Sequence, residues 1–134
     1  MHRQMFANLP VKNLKRSVDF FSKLGFTFDP KFTDDNATCM IVGDNIFVML
    51  LEEQFFQNFT PKPVCDATTA TEVLMGFSCE SRAQVDELVR KALAAGGTAP
   101  TAAQDFGFMY GHDFADPDGH IWEPFYLRPG AAPG

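Results

Sequence analysis

The sequence predicts an α+β protein built from two paired β-α-β-β-β modules, and three observations predict it. Two stretches carry apolar residues at helical spacing, each opened by a capping residue and closed by glycine, with strand-like runs on both sides. The two capping residues, Asn13 and Ser81, stand 68 positions apart in a chain of 134, about half its length. Ser-Val-Asp at 17–19 returns as Gln-Val-Asp at 84–86, and the same element order around one helix, met twice, favours a duplicated module.

Residues 4–11 (QMFANLPV) alternate in part and read as the first strand. Asn13 then caps a helix whose buried stripe is Leu14, Val18, Phe21 and Leu24, and Gly25 stops it. Strands follow at 26–28, 37–42 and 46–51, the last two joined by Gly43-Asp44-Asn45, a sequence suited to a tight hairpin. The second module opens on the apolar run 73–79. Ser81 with Gln84 forms a capping box, and Val85, Leu88, Val89, Ala92 and Leu93 make the buried stripe of a helix that ends at Gly96-Gly97. Extended segments are predicted at 98–101, 106–115 and 120–127, with Asp116-Pro117-Asp118-Gly119 as a turn. Module one therefore spans about 4–52 and module two about 72–127. The connector 53–71 holds two prolines and one helical turn at Phe55 to Phe59, and the tail 128–134 is expected to fray.

Composition narrows the function classes. Hydrophobic residues make up 46% of the chain and 15 of its aromatics are Phe, which is enough for a core. Eleven basic against seventeen acidic residues give a net charge of -6, which disfavours nucleic acid and anionic membrane surfaces as partners. Neither a spanning apolar run nor a signal core is visible, so a cytoplasmic location is expected. Cys39, Cys65 and Cys79 are odd in number and lack C-x-x-C spacing, so they read as inert thiols.

The string Leu9-Pro10-Val11-Lys12-Asn13-Leu14, followed by Arg16-Ser17-Val18-Asp19-Phe20-Phe21 and Leu24-Gly25-Phe26, resembles the opening module of the glyoxalase, bleomycin-resistance and extradiol-dioxygenase superfamily, the vicinal oxygen chelate proteins. Asp116-Pro117-Asp118-Gly119-His120 with Glu123 resembles its closing signature, and the resemblance covers residues 5–127. It implies a glyoxalase-like fold in which each module curls a mixed sheet around a concave cavity, often within a homodimer. It also implies four side chains around a divalent metal, which acts as a Lewis acid. The four positions fall on Phe6, near Met49, on Leu74 and on Glu123, and only Glu123 keeps a ligating side chain. No metal or other cofactor is therefore expected, and a divalent metal enters only in an alternative reading.

Glu123 is read as a carboxylate among apolar neighbours, with a raised pKa suited to a general base, or else as a group paired at a cavity mouth. Asn8 shares a face with Phe6 and could orient a ligand. His112 shares a face with Tyr110 and Phe114 and is the best candidate imidazole for binding or proton transfer, its plainer role being a hydrogen-bonded strand histidine. His120 and Trp122 point the other way from Glu123 and read as structural, and His2 carries no argument. Two functions follow from the resemblance. One is metal-free binding of a small apolar or aromatic molecule, with Phe6, Asn8, Met49, Leu74 and Tyr110 lining the site. The other is a metal-dependent, lactoylglutathione-lyase-like lyase or isomerase, or a dioxygenase-related enzyme, with Glu123 and His112 catalytic.

Overall fold

Asn13 holds extended backbone and its side chain accepts a hydrogen bond from the Arg16 amide, which starts helix α1 over Leu14–Lys23. Ser81 does the same for the Gln84 amide and starts helix α3 over Arg82–Ala94. In the box predicted there, the Gln84 side chain reaches back to the Glu80 amide at 2.8 Å. Both helices also end alike. Gly25 and Gly96 take the left-handed conformation (φ +99° and +104°). Phe26 N–H bonds the Phe21 carbonyl and Gly97 N–H bonds the Ala92 carbonyl, the six-to-one bond of a Schellman ending. The likeness seen in the caps, 68 residues apart, is thus met again in the stops, 71 residues apart.

The computed structural model describes residues 3–133, so His2 lies outside the described residues. The chain divides into two compact units at the Cys65–Asp66 junction. In the first unit, β1 (Met5–Val11), β2 (Thr27–Asp29), β3 (Ala37–Gly43) and β4 (Ile46–Glu52) form a sheet in the order β1-β4-β3-β2. Strand β1 runs parallel to β4 and the other pairs are antiparallel. Leu9, Val11, Met40, Val48 and Leu50 turn one face of this sheet into a core with Leu14, Phe20 and Phe21 of α1. The Phe20 and Phe21 rings meet edge to face with centroids 5.0 Å apart. Glu52, at the end of β4, accepts the Leu14 N–H at 2.9 Å and ties the start of α1 to the sheet. A short helix α2 (Glu53–Phe56) and a 3-10 turn (Gln57–Phe59) follow, at the place of the predicted helical turn.

The second unit repeats the plan. Strands β5 (Leu74–Ser78), β6 (Gln104–Asp105), β7 (Met109–Gly111), β8 (Phe114–Ala115) and β9 (Ile121–Leu127) form a five-stranded sheet in the order β5-β9-β7-β6, with β8 also on β9. Strand β5 is parallel to β9, as β1 is to β4. Val85, Val89 and Ala92 of α3 pack with Phe114 and Trp122, whose rings stack 6° from parallel.

Three expectations are corrected. The segment 106–115 is two short strands, because Pro124 on β9 stands opposite His112 and has no N–H to give it. Only the His112 N–H to Pro124 carbonyl bond forms there, at 3.3 Å. The stretch 98–101 contributes a single bridge, Thr98 to Ala115, while Gln104–Asp105 supplies the edge strand. Leu93 is 48% exposed and lies outside the buried stripe. At the start of the tail, Arg128 N–H bonds the Phe108 carbonyl at 2.9 Å.

Candidate functional site

Alternation along paired strands sorts the candidate residues by face. In the first unit the register sets Phe6 opposite Phe47, and Asn8 opposite Met49. These four share the face opposite to the one buried by Leu9, Val11, Val48 and Leu50, so Phe6, Asn8 and Met49 lie together. Phe6 stacks on Phe47 with centroids 4.9 Å apart and planes 14° from parallel, and it remains 40% exposed. Asn8 spends its amide Nδ2–H locally, on the Phe6 carbonyl at 3.1 Å. Ile41 and Cys39 continue the face on β3, opposite Phe47 and Met49. Burial, and secondarily the charge of Asp29, push the Cys39 thiol up.

In the second unit Leu74 pairs with Ile121 and Gly76 with Glu123. Tyr110 pairs with Tyr126, and Phe114 with Trp122. Because both pairs obey one register with no bulge between them, Asp113 stands opposite Glu123 across the Pro124 break. Their carboxyl groups share a hydrogen bond. Burial, then the neighbouring Asp113 charge, then that bond raise the Glu123 pKa above the ordinary carboxylate value. Gly76 leaves the other flank of Glu123 without a side chain, and Leu74, 52% exposed, lies two residues along. Two carboxyls so placed can hold one proton between them and exchange it.

His112 and Tyr110 do not join this group. Tyr110 faces α3: its hydroxyl donates to Asp86, with the Arg82 guanidinium 4.3 Å above the ring. The His112 Nε2 lies 3.1 Å from the Thr101 carbonyl, the plainer of its two roles, and the Thr101 hydroxyl donates to Asp113 at 3.4 Å. Alternation puts Tyr110 and Leu74 on opposite faces of the second sheet. The closing signature is structural. Asp116 is buried and accepts hydrogen bonds from the Asp118 and His120 amides and from the Trp122 indole, at 2.9, 3.0 and 3.0 Å. Burial raises its pKa, while His120 and the indole bond oppose the shift.

The donor set does not fit a metal centre. Among the described residues no three His, Cys, Asp or Glu side chains gather where they could hold an ion. The face of Phe6 and Met49 offers a ring and a thioether, which are poor partners for a hard divalent ion. Cys79, half-buried, has its thiol pushed up to about 11 by burial.

Sequence reasoning missed Phe47 and Asp113. The partner of Phe6 depends on the long-range parallel pairing of β1 with β4, which no local pattern carries. Asp113 was within reach. The turn pairs Asp116 with His120 through a 3.0 Å amide bond, and counting back three residues on one strand and forward three on the other brings Asp113 to Glu123.

A mixed sheet in which the first and last strands run parallel, backed by one helix and present twice in the chain, defines the glyoxalase-like class of α+β proteins. The chain belongs to the Glyoxalase/Bleomycin resistance protein/Dioxygenase superfamily, whose family model matches residues 3–123. It is similar to a hypothetical protein from S. aureus, at 28% identity over 95% of each chain with a TM-score of 0.81. It has the fold of a glyoxalase-related enzyme from Fulvimarina pelagi, at 20% identity over 94% of this chain and 88% of that one, TM-score 0.78. The same holds for a glyoxalase/bleomycin resistance protein/dioxygenase family enzyme from Burkholderia phytofirmans PsJN, at 15% identity over 92% and 97%, TM-score 0.76. No curated protein sequence matches. No helix among the described residues is long and apolar enough to cross a membrane.

Proposed function

We propose that this chain binds a small apolar or aromatic molecule on the sheet face that carries Phe6 and Phe47. The observation that supports it is the stacked Phe6–Phe47 pair, left 40% exposed at Phe6 with Met49 beside it. An exposed ring costs apolar hydration that a flat ligand relieves, and a thioether adapts its shape to such a ligand. Asn8 lies within the same face and supplies a carbonyl oxygen for a polar substituent, its N–H being engaged. A homodimer and a cytoplasmic location belong to the same proposal, the first on the strength of the family likeness.

Fluorescence titration with the neutral probe N-phenyl-1-naphthylamine tests it. Saturable enhancement is expected for the natural chain. Phe6→Ala should weaken it about tenfold, the equivalent of losing one partly buried ring contact. Phe59→Ala, at a ring 69% exposed in the 3-10 turn after α2, should leave it unchanged. Absent enhancement, or equal loss in the two variants with unchanged thermal midpoints, would refute the reading.

A further inference from the structure

We propose that this chain has given up the divalent metal implied by its family resemblance and holds its ligand by ring and side-chain contact instead. The inference deepens the small-molecule reading and rests on it for what is bound. A resident divalent ion needs about three protein ligands of nitrogen or oxygen type, with a position left open for substrate. The resemblance puts those ligands at Phe6, Met49, Leu74 and Glu123, and the observed register removes the rescue that a one-residue slip could offer.

On the first sheet, the residues sharing the face of Phe6 and Met49 include Asn8, Phe47, Ile41, Cys39 and Thr27. Asn8 offers that face one neutral amide oxygen, its N–H being spent on the Phe6 carbonyl, and Cys39 is 1% exposed. The carboxylate on that face, Asp29, stands on the edge strand β2 and accepts the Lys31 amide at 2.9 Å. Where an imidazole would bring a metal to β1, the Phe6 ring lies instead on Phe47, 4.9 Å away. On the second sheet the face of Glu123 offers one further carboxylate, Asp113, beside Leu74, Gly76, Ile121 and Phe125. Two carboxylates fall short of the set required, and each sheet taken by itself is deficient.

A ligand held this way does not need adjacent oxygens to chelate an ion, so its recognition should be blind to chelators. The test is elemental analysis for Mn, Fe, Co, Ni and Zn on protein purified without a metal column, paired with the naphthylamine titration with and without EDTA. The expected result is a small fraction of an equivalent of each metal, the same in Glu123→Gln, and a probe affinity that EDTA does not change. About one equivalent of metal per chain that Glu123→Gln removes would overturn the inference, as would probe binding that EDTA abolishes. A metal-free protein that also fails to bind the probe would support the loss of the metal while sinking the small-molecule reading, so the two fail separately.

Discussion

Gly119→Ala is expected to cost about 3 to 5 kcal/mol of stability, enough to consume much of what a domain of this size holds. A Cβ at this position would stand 2.7 Å from the Ala67 carbonyl oxygen and 2.8 Å from the Ala67 carbon and the Thr68 nitrogen, all backbone atoms that no rotamer change can move. Gly119 also sits at φ +89°, where an L side chain adds strain. The segment it would displace is itself fixed, since the Asp66 side chain accepts both the Thr68 amide and its hydroxyl, at 2.9 and 2.7 Å. Gly107→Ala separates the two causes. It shares the left-handed backbone (φ +85°) but has nothing within 4 Å of the added carbon, so it should cost only about 1 to 2 kcal/mol. Urea denaturation of the three proteins reads the difference, and equal losses in the two variants would remove the steric argument.

Asp116→Ala is expected to lose about 3 kcal/mol or more, because it leaves the Asp118 and His120 amides and the Trp122 indole without their shared acceptor in a buried turn. Asp116→Asn, which keeps one oxygen, should recover part of the loss. Trp122 is the only tryptophan in the chain, so its emission reports the site directly. A red shift in Asp116→Ala under native conditions, larger than in Asp116→Asn, is the expected signature. An unshifted spectrum with unchanged stability would show that the indole bond contributes nothing.

Both predictions concern the string Asp-Pro-Asp-Gly-His, which carried half of the family resemblance. Its residues pin the turn before β9, and that strand then delivers Glu123 to the opposite face. The turn, the two helix caps and the glycine stops were legible in the sequence because each is a local device that satisfies a backbone requirement within a few residues. The faces of Phe6, Asn8, Met49 and Glu123 were legible too, since strand alternation fixes parity once one buried residue is known.

What was not legible came from pairing between distant strands. The Pro124 break depends on which residue sits across from the proline, and the sequence of 106–115 alone reads as one strand. Tyr110 alternates correctly with Phe114, yet its face belongs to α3, whose Asp86 and Arg82 engage it. Seeing those partners required knowing which side the helix covers. Leu93 fits the helical spacing but lies about 100° around α3 from the buried Ala92 in the same last turn, which turns it out to 48% exposure.

The central claim is that the Phe6 and Phe47 face of the first sheet receives an apolar ligand, and backbone amide NMR during titration with N-phenyl-1-naphthylamine tests it most directly. The account predicts shifts concentrated at Phe6, Asn8, Phe47 and Met49, with the amides of α1 and α3 unmoved. Shifts confined to the helices, or none at saturating probe, would contradict it.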